Sequence, residues 1–95
     1  MITVQRRWFV PTEKIEDFGL RWVSEIMPDL IRQPGFIRAE GYESDVRGHW
    51  ITSISWRDEQ SRSEAAEHFT QLYKEFERYE RFSPEILILL SRSKE

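Results

Sequence analysis

The chemistry this sequence can offer rests on a few side chains. Of the two histidines, His68 is better placed to act as a general base. Imidazole titrates near neutral pH without large perturbation, and His68 stands beside Phe69 in a segment of helical periodicity. Trp56 closes a strand-like run and can stack on a planar molecule. His68 and Trp56 are therefore the expected catalytic pair, with a surface histidine and a core tryptophan as the plainer readings. Arg6 and Arg38 interrupt two strand-like runs. A guanidinium there can bind a carboxylate, phenolate or quinone oxygen of a ligand, or it can pair with Glu40. Trp22 and Tyr73, beside apolar helical stripes, either line the same pocket or pack the core. With the two arginines they make up the expected substrate-binding set.

Missing residue types narrow the chemistry further. The chain has no cysteine, which removes disulfides, thiolate nucleophiles and zinc sites built on sulfur. No pair of carboxylates or histidines has metal-ligand spacing, and there is no flavin or nucleotide signature, so neither a metal nor a cofactor is expected. The net charge of -3 gives no general attraction to phosphate, and nucleic acid is not an expected partner. No stretch approaches the ~20 apolar residues of a membrane span, and the first residues contain no apolar run of signal-peptide length. A cytoplasmic protein with no membrane partner is the resulting expectation.

The elements that must position these side chains follow from periodicity. Ile2 to Val10 alternates, with Ile2, Val4, Arg6, Trp8 and Val10 on one face, and predicts a strand ended by Pro11. Thr12 is a candidate cap for a helix whose stripe is Ile15, Phe18, Trp22, Ile26 and Leu30, with a kink or restart at Pro28. Gln33-Pro34-Gly35-Phe36 is a turn signal before a second strand over 36–43. A hairpin at Asp45-Val46-Arg47-Gly48 leads into a third strand from His49, taken as exposed, to Trp56. Ser61-Arg62-Ser63-Glu64 has the spacing of a capping box. Behind it Ala65, Phe69, Leu72, Phe76 and Tyr79 mark a second helix ending near Phe82, with Glu77 and Arg81 at ion-pair spacing on its outer face. Ile86 to Leu90 is an uninterrupted apolar run, which predicts a strand covered on both faces. Ser91 to Glu95 reads as a frayed end.

The order β-α-β-β-α-β predicts an α+β, ferredoxin-like single domain over 1–95, with an antiparallel sheet and both helices on one face. A chain of 95 residues has no further element for the other face. A second copy is the economical cover, and two sheets face to face would close a dimeric α+β barrel around a pocket for a small hydrophobic ligand. The RNA-recognition motif shares this order, and Arg47-Gly48-His49-Trp50 is a faint match to it, but the acidic balance and incomplete aromatic signature weigh against RNA.

The opening Ile2-Thr3-Val4, the Gln33-Pro34-Gly35-Phe36 turn, and Ser55-Trp56-Arg57-Asp58-Glu59 running into Ala66-Glu67-His68-Phe69 resemble the antibiotic biosynthesis monooxygenase family of dimeric α+β barrels, over essentially the whole chain. The resemblance implies a homodimer and a monooxygenase-like activity on a planar aromatic or quinol-type molecule without a bound cofactor. A non-catalytic dimer binding such a molecule is the alternative. Two activities of that family, cofactor-free quinol oxygenation and haem degradation, use an asparagine. This chain contains none, which counts against haem degradation most strongly and leaves His68 without the other residues a haem site would need.

Overall fold

The structure, a computed structural model, describes residues 1–91. Beyond Ser91, the expected frayed end lies outside the described residues. Strands β1 (Ile2–Phe9), β2 (Phe36–Glu43), β3 (His49–Trp56) and β4 (Glu85–Ile88) form one sheet in the order β2-β3-β1-β4, with every neighbouring pair antiparallel. This is the ferredoxin-like α+β arrangement that the element order predicts. The hairpin between β2 and β3 turns at Gly48, where His49 N–H donates to the Val46 carbonyl at 3.0 Å.

The first helical segment opens as a short 3-10 turn, Thr12–Lys14, without a side-chain cap from Thr12. It continues as α1 (Ile15–Arg21), widens into a π turn over Trp22–Ile26 and resumes as α2 (Met27–Ile31). Pro28 explains the widening. Its ring crowds the carbonyl four residues back and offers no N–H, and the turn ahead of it closes instead through Met27 N–H to the Trp22 carbonyl, five residues back. The wide turn also serves the apolar stripe. At about 100° per residue, each step of four overshoots a regular turn by roughly 40°, so three such steps from Phe18 to Leu30 would carry the stripe round the helix. With the π turn in place Phe18, Trp22, Ile26 and Leu30 are all buried.

The second helical segment is α3 (Glu59–His68), α4 (Thr70–Phe76) and a 3-10 turn at Glu77–Tyr79, ending three residues short of Phe82. Its cap is Asp58 rather than Ser61: the Asp58 carboxylate accepts from Ser61 N–H at 2.8 Å. That hydrogen bond, first among the causes, holds the Asp58 carboxyl below its ordinary pKa. Ser61 is buried against the Gln33–Phe36 turn, where Gly35 adopts φ 79° and a β-carbon would fall 2.1 Å from the serine oxygen. Arg81 does not pair with Glu77. It lies 4.6 Å over the Phe9 ring instead.

The buried hydrophobic side chains of the helices form one core with Trp8, Ile54 and Trp56 of the sheet. Trp8 sits centrally, 5.7 Å from Phe18 and 6.5 Å from Phe76 between ring centroids, and its indole N–H donates to Thr52 Oγ1 at 2.9 Å. The other face has no helix over it. His49, on that face, is half-buried rather than exposed, stacked 4.5 Å on Phe9 with its Nε2 buried and unpartnered. β4 corrects a second expectation. It bonds to β1 along one edge only, the helices pack over the other strands, and Ile86, Leu87 and Ile88 are exposed. Within one chain neither face of this strand is covered.

Candidate functional site

Between sheet and helices the structure leaves two small spaces. The first, about 30 Å³, lies under α3 and α4, with Val4 and Arg6 from β1, Ile54 and Trp56 from β3, and Ala65, Ala66, Phe69 and Tyr73 from the helices. The second, about 10 Å³, is bounded by Trp8, Trp22, Thr52 and Phe76 among others, and shares Ile54 and Tyr73 with the first. Arg6, Trp56 and Tyr73 therefore meet at the first space, and Trp22 and Tyr73 at the second. Strand alternation points Arg6 inward between Val4 and Trp8, and the helical stripe puts Tyr73 one turn from Phe69 above it.

Two cations line the first space: Arg62, which is paired with Glu59, and Arg6, which is held from two sides. Its guanidinium carbon lies 4.2 Å over the Tyr73 ring, and Nη1 donates to Glu80 Oε1 at 3.0 Å. Both members of the ion pair are largely buried, at 18% and 12% side-chain exposure. Among the described residues Glu80 is its one side-chain hydrogen-bond partner, so most of its five N–H donors remain for a ligand oxygen. The second oxygen of Glu80 is buried without a partner. Burial pushes the Glu80 carboxyl up in pKa, with Arg6 pulling the other way, and burial likewise raises Tyr73. Glu80, which sequence reading missed, stands 74 positions from Arg6 and is positioned by an isolated backbone bridge to Trp8. No local pattern signals such a pair.

Two expected site residues lie elsewhere. Arg38 is on the opposite face of the sheet, exposed, with Nε 3.3 Å from Glu40; the Tyr42 hydroxyl donates to the same carboxylate. The cause is a β-bulge. Phe36 opposes Trp56 and Arg38 opposes Ser55, so Ile37 is an extra residue that turns Arg38 away from the face Phe36 shares. His68 is on the outer side of α3, paired with Asp29 Oδ2 at 3.1 Å, while its neighbour Phe69 takes the inward position. It lines neither cavity. Among the described residues no three His, Asp or Glu side chains come together in a metal-binding group. No helix is long and apolar enough to cross a membrane.

An arginine with spare donors, an indole and a phenol around one cavity suit an aromatic ring that carries an oxygen. The cavity as it stands has about the volume of one water, far below the ~300 Å³ of a small-ligand pocket, so a ligand must displace side chains to enter.

The sequence model of one family, antibiotic biosynthesis monooxygenase, matches residues 1–75. No curated protein matches the chain. Among solved structures, that of an antibiotic biosynthesis monooxygenase is 20% identical with TM-score 0.74, over 98% of this chain and 100% of the other. A conserved protein from Methanosarcina mazei Go1 is 19% identical with TM-score 0.75, over 96% and 92%. Rv0793 from Mycobacterium tuberculosis is 14% identical with TM-score 0.73, over 98% and 96%. At these identities the structural likeness concerns the fold.

Proposed function

Because the chain belongs to the antibiotic biosynthesis monooxygenase family, we propose that it is a cytoplasmic, homodimeric oxygenase. In this reading it binds a planar, hydrophobic quinol- or anthrone-type molecule between sheet and helices and oxidises it without a bound cofactor. The observation that carries this reading is Arg6: a largely buried cation with unused donors, lining one cavity with Tyr73 and Trp56. Positive charge at that point stabilises the enolate or phenolate form of such a substrate, which is the form that gives electrons to oxygen. For an anthrone-type ring, the CH2 carbon becomes C=O. One oxygen atom of O2 stays in the product and the other leaves as water, with all four electrons supplied by the substrate.

The dimer accounts for the uncovered face and for β4. Ile86 to Leu90 is exposed, and a groove of about 380 Å³ between this run, Thr3 and Arg38 opens on the side away from the helices. A second copy is the occupant this reading assigns to it. Sedimentation should give a dimer, and Leu87→Asp should shift it to monomer; a wild-type monomer at micromolar concentration would remove this part of the reading.

Oxygen uptake with an anthrone panel tests the chemistry. Wild type should exceed the buffer rate and Arg6→Met should lose most of the excess. The small cavities and the absent asparagine favour one alternative, a dimer that binds such a molecule without turning it over. Ligands that raise the melting temperature with no oxygen consumed would establish that alternative.

A further inference from the structure

On the helical side lies a cleft of about 420 Å³ between α1 and the end of the second helical segment. Its rim carries Lys14, Arg21, Lys74 and Arg78 against Asp17 and Glu75. Arg21 is already committed, donating to Glu25 and Glu75 at 3.0 Å each. Among the described residues Lys14, Lys74 and Arg78 form no ion pair, so a chain of net charge -3 presents a locally positive mouth here. A copy covering the bare face of the sheet would leave this side open.

The floor of the cleft is Phe18, Phe76 and Tyr79. Phe18 and Phe76 meet edge to face, 5.6 Å between centroids, and the same two rings bound the 10 Å³ space beneath. That space in turn shares Ile54 and Tyr73 with the Arg6–Trp56 cavity. The three spaces are therefore neighbours, the cleft adjoining the middle one through Phe18 and Phe76 and the middle one adjoining the Arg6 cavity through Ile54 and Tyr73. The Phe18–Phe76 pair touches the charged rim, since the Arg21 guanidinium lies 4.7 Å over the Phe76 ring.

We propose that this cleft is the entrance to the cavity and that it selects an aromatic molecule bearing a carboxylate. Lys14, Lys74 and Arg78 hold the carboxylate at the rim, and Phe18 and Phe76 part to admit the ring. The proposal rests on the reading of the cavity as the ligand site and adds the substrate's charge and its route. Charge on the rim acts on encounter and affinity together and is screened by salt, whereas the uncharged ring alone senses only the floor and the interior.

The test is a fluorescence titration of the whole protein with anthracene-9-carboxylate and with uncharged 9-methylanthracene. Wild type should bind the carboxylate at least tenfold more tightly, with the margin shrinking as salt is raised. Lys74→Glu with Arg78→Glu, both at exposed positions, should abolish or invert the preference while leaving 9-methylanthracene within twofold. In stopped flow, Phe76→Leu should speed association of both probes several-fold, a variant milder than Phe76→Ala for a buried ring. Equal binding of the two probes by wild type, or a preference untouched by the double variant, overturns the entrance and leaves the cavity reading standing. Failure of 9-methylanthracene to bind at all, with the carboxylate held only by the rim, overturns both.

Discussion

The two faces of the sheet are built from the same strands but are held by different means. The face under the helices is closed by aromatic contacts around Trp8 and admits one charged pair, Arg6 with Glu80. The bare face carries a hydroxyl pair between Thr3 and Ser55, the Arg38–Glu40–Tyr42 row and the Phe9–His49 stack. Position relative to the helices, and not residue type, decides what each side chain is worth. Arg6 and Arg38 are both mid-strand arginines, and they differ in every property that matters for function.

Substitutions that break the contrast should do so in graded steps. Trp8→Ala removes the central ring and its indole hydrogen bond, with an expected loss of about 3–5 kcal/mol in urea unfolding, against about 1 kcal/mol or less for Phe9→Ala on the bare side. Arg6→Met leaves the largely buried Glu80 without its partner and should cost about 2–4 kcal/mol at neutral pH, while Arg38→Met stays within about 0.5 kcal/mol. Equal effects of the two arginine variants would dissolve the distinction drawn between the faces. Gly41→Ala places a β-carbon 2.8 Å from the Trp22 indole nitrogen and should cost about 1–3 kcal/mol.

The smallest change is the most informative about the pair. Burial raises the Glu80 pKa above its ordinary 4.5, so the fold favours the protonated acid. The stability this contributes is complete below the unfolded value and is lost as pH rises through the folded one. Glu80→Gln resembles the protonated form. It should lie within about 1 kcal/mol of wild type and gain on it from pH 4.5 upward; a gap that moves the other way would show Arg6 outweighing burial.

The same contrast separates what the sequence made legible from what it hid. Both helical stripes and the inward faces of β1 and β3 follow from spacings of three and four or of two, which depend on neighbours along the chain. Of the two readings open to Arg38 the pairing with Glu40 is the one seen, and what the sequence hid is the face it lies on, because a single extra residue at Ile37 reverses alternation and nothing in Phe36-Ile37-Arg38 marks it. The spacing points to Ser61 as the cap, whereas the helix starts earlier and is capped by Asp58, whose extended backbone follows directly from the end of β3. His68 was assigned by its neighbour Phe69, yet adjacent helical residues point about 100° apart, so a buried Phe69 is itself a reason for His68 to face solvent. Glu80 required the fold, because its partner is brought to it by the return of the chain past Trp8.

The wide turn at Trp22–Ile26 amounts to one residue of slack in the chain. Removing Val23, which is exposed, would change the buried steps after Phe18 from four, four, four to four, three, four, a spacing that an ordinary α-helix keeps on one seam. Combined with Pro28→Ala, such a deletion would shorten the helix without re-aiming Leu30. Gaps in this segment are therefore a form of length variation that the family's fold can absorb, and an alignment that forces every relative through it without one would misassign the inward residues.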